Sequence, residues 1–136
     1  MDKSNVDSLS SLVIKAAINV HKEFGPGLLE SIYQSSMAIE LGLMGMKIQT
    51  EVPLYVSYKG RRIADVGLRL DLLVEDTIIV ELKSVEEIQP VHKKQLMTYL
   101  RLAGKPLGLL INFNVMLVRE GITRVINSPP GDGNAA

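Results

Sequence analysis

The chain has 136 residues, and its fifteen basic side chains balance fifteen acidic ones, which argues against a general nucleic-acid-binding coat but leaves a local basic surface open. The absence of cysteine excludes disulfides and cysteine-ligated zinc, and two histidines are too few for a three-histidine zinc site. No apolar stretch approaches the roughly 20 residues that span a bilayer, and the polar N-terminus has no signal core, so we expect no membrane association and a cytoplasmic location.

Helical periodicity dominates the first third of the chain. A first helix is predicted from about Leu9 to Phe24, with Asp7 or Ser8 as its N-cap. Gly25-Pro26-Gly27 ends this helix, and a second helix follows over about 28–43. The positions of the second helix that we expect to face the core are Ile32, Met37, Ala38 and Leu41.

From Ile48 the apolar period changes to two, which indicates β-strands. Pro53 has no backbone N–H and therefore marks the first strand as an edge strand. Lys59-Gly60 predicts a hairpin turn. The next strand is expected over about 61–74, with an interruption at Gly67.

A central hairpin comes next. The polar pair Glu75-Asp76 is predicted to form its turn, and Thr77 to Lys83 its second strand. The run Ile78-Ile79-Val80 is uninterrupted by polar residues, which is typical of a strand buried on both faces.

The remaining elements are a helix, a strand and a short hairpin. Pro90 is a favourable first-turn residue and predicts a helix over 90–103. The apolar run over 107–111 predicts a buried strand, and residues 116–126 a last hairpin around Glu120-Gly121.

This order of elements predicts an α/β sandwich with a mixed sheet and helices on both faces. We expect one domain over residues 1–127. Residues 128–136 are rich in proline and glycine and have no large apolar groups, so they are expected to be disordered.

Charged side chains stand in the central hairpin among apolar residues. Glu81 and Lys83 share one face of their strand because side chains alternate, and Asp71 on the neighbouring strand can lie opposite them. Charges seldom occupy buried strands unless they are paired or bind a metal. A structural ion pair is one interpretation. The other is a metal-dependent phosphodiesterase site, in which Asp71 and Glu81 bind Mg²⁺. The Leu82 carbonyl could add a ligand, and Lys83 would orient or deprotonate the attacking water.

Polar side chains also align along the third helix. Gln95 and Tyr99 stand four residues apart and share a face, which His92 joins three residues earlier. They could hydrogen-bond a phosphate or brace Lys83. Alternatively, they form the polar edge of an amphipathic helix with Tyr99 half-buried.

The segment Gly27-Leu-Leu-Glu30-Ser-Ile-Tyr33 opens the second helix. Glu30 either complements the positive end of the helix dipole or adds a carboxylate to the site, as a metal ligand or as a group that positions Lys83 or water. His21, late in the first helix, is a further candidate.

Basic residues cluster around the first hairpin and at the start of the third helix. They could track phosphates, although solvated surface charge is the default interpretation. We expect no interleaved aromatic side chains that would form a stacking platform for single strands. The residues are Lys59, Arg61, Arg62, Arg69, Lys93 and Lys94.

Taken together, the motifs resemble the PD-(D/E)xK nuclease superfamily over about residues 8–126. Asp71 followed by Glu81-Leu82-Lys83 is similar to its nuclease motif, and Gln95-Leu-Met-Thr-Tyr99 looks like the helix of its RecB-type branch. Gly27-Leu-Leu-Glu30-Ser-Ile-Tyr33 is similar to the signature of the GxxExxY proteins, a bacterial and archaeal family assigned to that superfamily.

The resemblance implies a restriction-endonuclease-like αβββαβ core, with a mixed central sheet flanked by helices. It also implies Mg²⁺ or Mn²⁺ as the cofactor. Leu70 departs from the family pattern, because proline usually precedes the first aspartate. The candidate catalytic residues are Lys83, Glu30, Gln95 and Tyr99, and the candidate metal ligands are Asp71, Glu81 and Glu30.

Three functions stay open at this point. The first is a prokaryotic metal-dependent nuclease that cleaves DNA or RNA, with which a homodimer presenting two sites is compatible. The second is a catalytically silent nuclease-like module that binds a protein or nucleic-acid partner, which the small size and the zero net charge favour. The third is a metallohydrolase that acts on a nucleotide or another phosphoester.

Overall fold

Two helices precede the sheet in the computed structural model, which describes residues 3–64 and 67–128. They are α1 over Lys3–Phe24 and α2 over Glu30–Leu43. None of the helices in these described ranges is long and apolar enough to cross a membrane.

Helix α1 is longer than predicted. It begins six residues before Leu9 because Val6 is buried and extends the apolar face by one turn. The prediction of Asp7 or Ser8 as the N-cap is therefore wrong. Asp7 lies inside the helix, and its carboxylate pairs with Arg124.

Five strands form a central sheet, and two short strands form a separate hairpin. In chain order the strands are β1 Ile48–Pro53, β2 Ser57–Tyr58, β3 Arg61–Arg62, β4 Arg69–Val74, β5 Ile78–Lys83, β6 Leu107–Asn112 and β7 Ile122–Ile126. The sheet has the order β1-β4-β5-β6-β7, and β2 pairs with β3. Strands β5 and β6 run parallel, whereas β1 with β4, β4 with β5, and β6 with β7 run antiparallel.

The parallel pair requires a crossover connection, which helix α3 over Pro90–Ala103 provides between β5 and β6. Its bounds are those that the sequence predicts. Pro90 occupies the first helical position, and Gly104 ends the helix in the left-handed region at φ +67°.

The core has two parts, one on each face of the sheet. Helices α1 and α2 pack on one face and α3 on the other. Within β5, Ile78 and Val80 contact the first part and Ile79 the second, so the prediction of a strand buried on both faces is confirmed. Alternation then places Glu81 and Lys83 on the α3 face. The predicted fold class, a mixed α/β sheet flanked by helices as in restriction-endonuclease-like folds, is confirmed.

The predicted turns are confirmed. Pro53 ends β1 at the edge of the sheet. Lys59-Gly60 joins β2 to β3, and Glu75-Asp76 joins β4 to β5. Glu75 and Asp76 have positive φ, +50° and +52°, as the central pair of a type I′ turn requires, and the Thr77 N–H closes this turn on the Val74 carbonyl at 2.9 Å.

The single strand predicted over 61–74 is in fact two, because β3 pairs with β2 and β4 pairs with the central sheet. The expected interruption at Gly67 falls between them. The hairpin predicted over 116–126 is wrong, because Val118–Gly121 forms a 3-10 helix and β7 pairs with β6 instead.

The prediction that Ile32 faces the core is also wrong, since 40% of its surface is exposed. Helix α2 buries Tyr33, Met37 and Leu41, which repeat every four residues and leave Ile32 beside this stripe. Most of the tail predicted to be disordered, residues 129–136, lies outside the described residues.

Candidate active site

Strands β4 and β5 separate at the end of the sheet where the predicted carboxylates lie. Their antiparallel pairing ends at Leu72 and Val80. Beyond that pair, the Asp71 N–H donates to Glu81 Oε1 at 3.1 Å, and the Leu82 N–H donates to Asp71 Oδ2 at 2.8 Å. Each carboxylate is thus held by a backbone N–H of the other strand, which fixes the two acidic groups side by side.

Burial dominates the electrostatics of this carboxylate pair. Burial, and then the charge of Asp71, raises the pKa of Glu81 to about 8. Burial also raises the pKa of Asp71, and the Leu82 hydrogen bond and the charge of Lys83 oppose that rise only in part. Glu81 therefore binds a proton more readily than an exposed carboxyl group does, because burial and then the neighbouring charge of Asp71 disfavour its ionised form.

Lys83 is the last residue of β5 and is half-buried. It is close enough to both carboxylates for its charge to lower the pKa of each. The next residue, Ser84, donates its hydroxyl to the Leu28 carbonyl at 2.7 Å. This bond ties the end of β5 to the loop that precedes α2.

In the segment from Gly27 to Tyr33, two residues shape the loop before α2, and Glu30 lies near the site. Tyr33 is fully buried and stacks on Phe113 with ring centroids 4.3 Å apart. Its hydroxyl donates to the Gly25 carbonyl at 2.6 Å and accepts from the Leu28 N–H at 3.2 Å. Gly27 has φ +104°, a conformation that favours glycine. Tyr33 and Gly27 thus shape the loop that leads into α2.

Glu30 is the first residue of α2, and its side chain is exposed. Its charge contributes to the raised pKa of Asp71, so the loop brings a third carboxylate towards the pair. The same position also suits the positive end of the helix dipole. The role of Glu30 as a site carboxylate stays a prediction, and its position at the start of α2 is compatible with both interpretations drawn from the sequence.

Helix α3 brings Tyr99 to the site, but not every polar residue of its predicted stripe. Burial, and then the charges of Glu81 and Asp71, raises the pKa of Tyr99. Gln95 lies one turn earlier and is exposed, and within residues 3–64 and 67–128 no hydrogen bond joins it to the carboxylates. His92 does not belong to the site, because its Nδ1 accepts from the Gln89 N–H at the start of the helix. His21 is likewise structural, since its Nε2 bonds to the Val115 carbonyl at 2.8 Å.

Glu51 lies beside the candidate site, and sequence reasoning missed it. In the register of β1 and β4 it falls opposite Asp71, between the pairs Thr50–Leu72 and Val52–Leu70. Its charge raises the pKa of Asp71, and its own backbone has φ +50°. Like charges directly opposite each other destabilise a sheet. No count along the chain gives this register, because the separate β2–β3 hairpin lies between β1 and β4 in the sequence.

The basic residues of the first hairpin interleave with exposed tyrosines, contrary to the sequence prediction. We call residues 55–62 the basic hairpin. The Arg62 guanidinium carbon lies 4.0 Å from the centroid of the Tyr55 ring, and Lys59 Nζ lies 5.4 Å from that of Tyr58. The prediction failed because the turn folds Arg62 back towards Tyr55, which precedes it by seven residues.

The donor set fits a hard divalent cation. The described residues contain no group of three or more histidine, cysteine or acidic side chains that could hold a metal. Mg²⁺ nevertheless needs only one or two carboxylates, with waters and substrate phosphate completing its shell. The pair Asp71 and Glu81 offers two carboxylates whose pKa values are raised by burial and then by neighbouring negative charge, and a bound cation would offset that charge.

A mixed sheet whose two central strands separate around an acidic pair, with a lysine two residues after the second acid, defines a nuclease-like protein. The model of the PD-(D/E)XK nuclease superfamily matches residues 7–125, and the chain belongs to that superfamily. A comparison with curated proteins and a comparison with solved structures each gave no match.

Proposed function

We propose that the protein is a metal-dependent nuclease that hydrolyses phosphodiester bonds in DNA or RNA. One observation carries this proposal. Asp71 and Glu81 are held side by side by backbone N–H groups at 2.8 and 3.1 Å, and Lys83 lies within electrostatic reach of both. If these residues formed only a structural ion pair, we would expect one cation for each carboxylate, whereas Lys83 faces both Asp71 and Glu81.

Asp71 and Glu81 would hold Mg²⁺ or Mn²⁺, and Glu30, whose charge acts on Asp71, would position water beside the cation. When bound, the cation supplies charge stabilisation at the phosphate and lowers the pKa of water. Glu81 must give up its proton for this role, because burial raises its pKa to about 8. Cation binding and deprotonation of Glu81 are therefore linked.

Lys83 would act directly on the reacting groups. Its ammonium can orient the attacking water and offset charge on the phosphate, whereas taking a proton from that water would require the neutral amine. The Tyr99 hydroxyl would donate to a phosphate oxygen, which its raised pKa favours because the phenol keeps its proton. Gln95 would reach the same phosphate from one turn earlier on α3.

A narrower family placement is part of the proposal. Gly27, Glu30 and Tyr33 each have a distinct role in the structure, which supports placing the chain among the GxxExxY proteins. Tyr99 beside the carboxylates supports the RecB-type branch.

Cleavage of labelled single-stranded and duplex DNA and RNA, in Mg²⁺, in Mn²⁺ and in chelator, tests the proposal. We expect metal-dependent cleavage by wild type and losses of at least about 100-fold in Asp71→Asn and in Lys83→Met, the scale on which general acid–base groups act. Lys22→Met, an exposed lysine on α1, is the matched control. Cleavage that survives both site variants would refute the proposal. Turnover of small phosphodiesters alone would favour the metallohydrolase alternative.

A further inference from the structure

The basic hairpin concentrates positive charge in a chain whose net charge is zero. Residues 52–64 contain Lys59, Arg61 and Arg62 and no aspartate or glutamate. All three cations are exposed. In residues 3–64 and 67–128, the ion pairs join other side chains, so these three cations are not neutralised by a carboxylate there.

The basic hairpin presents its cations on both faces. Tyr58 pairs with Arg61 across the two strands, so these side chains share one face. Arg62 lies on the other face, where its guanidinium covers the ring of Tyr55. Contact with an aromatic ring restrains the cation, so less conformational entropy is lost when the cation binds an anion.

The basic hairpin also lies close to the carboxylate pair. It leaves the sheet where the Leu54 N–H donates to the Leu68 carbonyl at 3.0 Å. Leu68 precedes Asp71 by three residues, which span at most about 11 Å. The hairpin strands are held together by the pairs Ser57–Arg62 and Tyr58–Arg61.

We propose that the basic hairpin binds the phosphate backbone of the nucleic-acid substrate and guides it to the Asp71–Glu81 end of the sheet. This proposal rests on the proposed nuclease function. Phosphate contacts position a nucleic acid without reading its sequence, which suits a hairpin that presents only cations and tyrosines. A local basic surface beside an acidic site also explains how a chain of zero net charge approaches a polyanion.

The test is binding of a 20-nucleotide single strand and of the corresponding duplex by fluorescence anisotropy, in chelator so that no cleavage occurs. The variant Lys59→Gln/Arg61→Gln/Arg62→Gln removes the three cations. For single strands, the loss of three phosphate contacts should reduce the magnitude of the slope of log affinity against log salt by about 2. If the affinities are equal at about 1 M salt, this corresponds to about 100-fold weaker binding at about 0.1 M salt. For duplex, the slope should fall by nearly 3.

The control variant Lys15→Gln/Lys22→Gln/Arg119→Gln changes the net charge equally at exposed positions outside the hairpin. We expect it to bind within about threefold of wild type, since these positions lie outside the contact and act only through screened charge. Arg61→Lys/Arg62→Lys keeps the charge and should retain most of the affinity. Circular dichroism of each variant establishes that it is folded.

Equal losses in the hairpin and control variants would overturn the proposal. So would a wild type that binds neither nucleic acid, or hairpin-dependent binding of anionic vesicles without binding of nucleic acid. The two proposals fail separately. Hairpin-dependent binding without cleavage in Mg²⁺ would overturn only the nuclease, and cleavage by a hairpin variant that binds like wild type would overturn only the hairpin proposal.

Discussion

Replacing Glu81 with glutamine should make the protein more stable at alkaline pH and remove much of the pH dependence of its stability. Glutamine has nearly the same shape and can accept the hydrogen bond from the Asp71 N–H, but it carries no charge at any pH. Burial, and then the charge of Asp71, raises the pKa of Glu81 from 4.5 to about 8. The native protein therefore holds a proton that the unfolded chain releases.

The sign follows from proton linkage. Between pH 4.5 and about 8 the folded state binds more protons than the unfolded state, so stability falls as the pH rises through this window. The contribution is fully present below the lower value and lost above the upper one. At about 1.4 kcal/mol per pKa unit the shift corresponds to roughly 5 kcal/mol. This free energy is an upper limit, because Asp71 is only partly buried and water beside it screens its charge.

Urea denaturation in chelator at pH 5, 6, 7, 8 and 9 measures this difference. We expect wild type and Glu81→Gln to be similar at pH 5 and the variant to be more stable by a few kcal/mol at pH 9. Glu87→Gln, an exposed carboxylate on the loop before α3, should follow wild type throughout. Parallel curves for wild type and Glu81→Gln would refute the assignment of the raised pKa to this residue.

Three further changes test the parts that surround the site. Glu51→Gln removes a negative charge that raises the pKa of Asp71, so the pH range over which the native protein loses stability should move downward in the same urea series. Tyr33→Phe removes the bond to the Gly25 carbonyl and should lower the free energy of unfolding by about 1–2 kcal/mol in urea, without moving that pH window. Gly121→Ala would place a Cβ 2.1 Å from the Asn112 carbonyl oxygen and should cost about 3 kcal/mol, whereas Gly42→Ala, with nothing within 4 Å, should be neutral or stabilising by the same assay.

The arrangement of the sheet and of its central hairpin was accessible from the sequence, because local signals there agree with the tertiary structure. Pro90 and the glycine that follows α3 set the bounds of that helix. The apolar run before Glu81 identified a strand buried on both faces, and strand alternation then placed Glu81 and Lys83 together.

Other features depend on partners distant in sequence. Residues 116–118 carry a strand-like pattern, but β6 pairs with β7, and the chain forms a 3-10 helix over Val118–Gly121 instead. Glu51 was missed because its closeness to Asp71 depends on the register between β1 and β4. Tyr55 lies beneath Arg62 because β2 pairs with β3 across the Lys59-Gly60 turn, and although that turn was predicted, the register of the pair was not.

The central claim is that Asp71 and Glu81 together hold a divalent cation. Calorimetric titration with Mg²⁺ and Mn²⁺ at pH 7.5, in two buffers that differ in ionisation enthalpy, tests it most directly because it reports both binding and proton release. With the pKa of Glu81 at about 8, wild type should bind the cation and release a proton, and Asp71→Asn/Glu81→Gln should do neither. Unchanged binding by the double variant, or no binding by wild type, would contradict the claim.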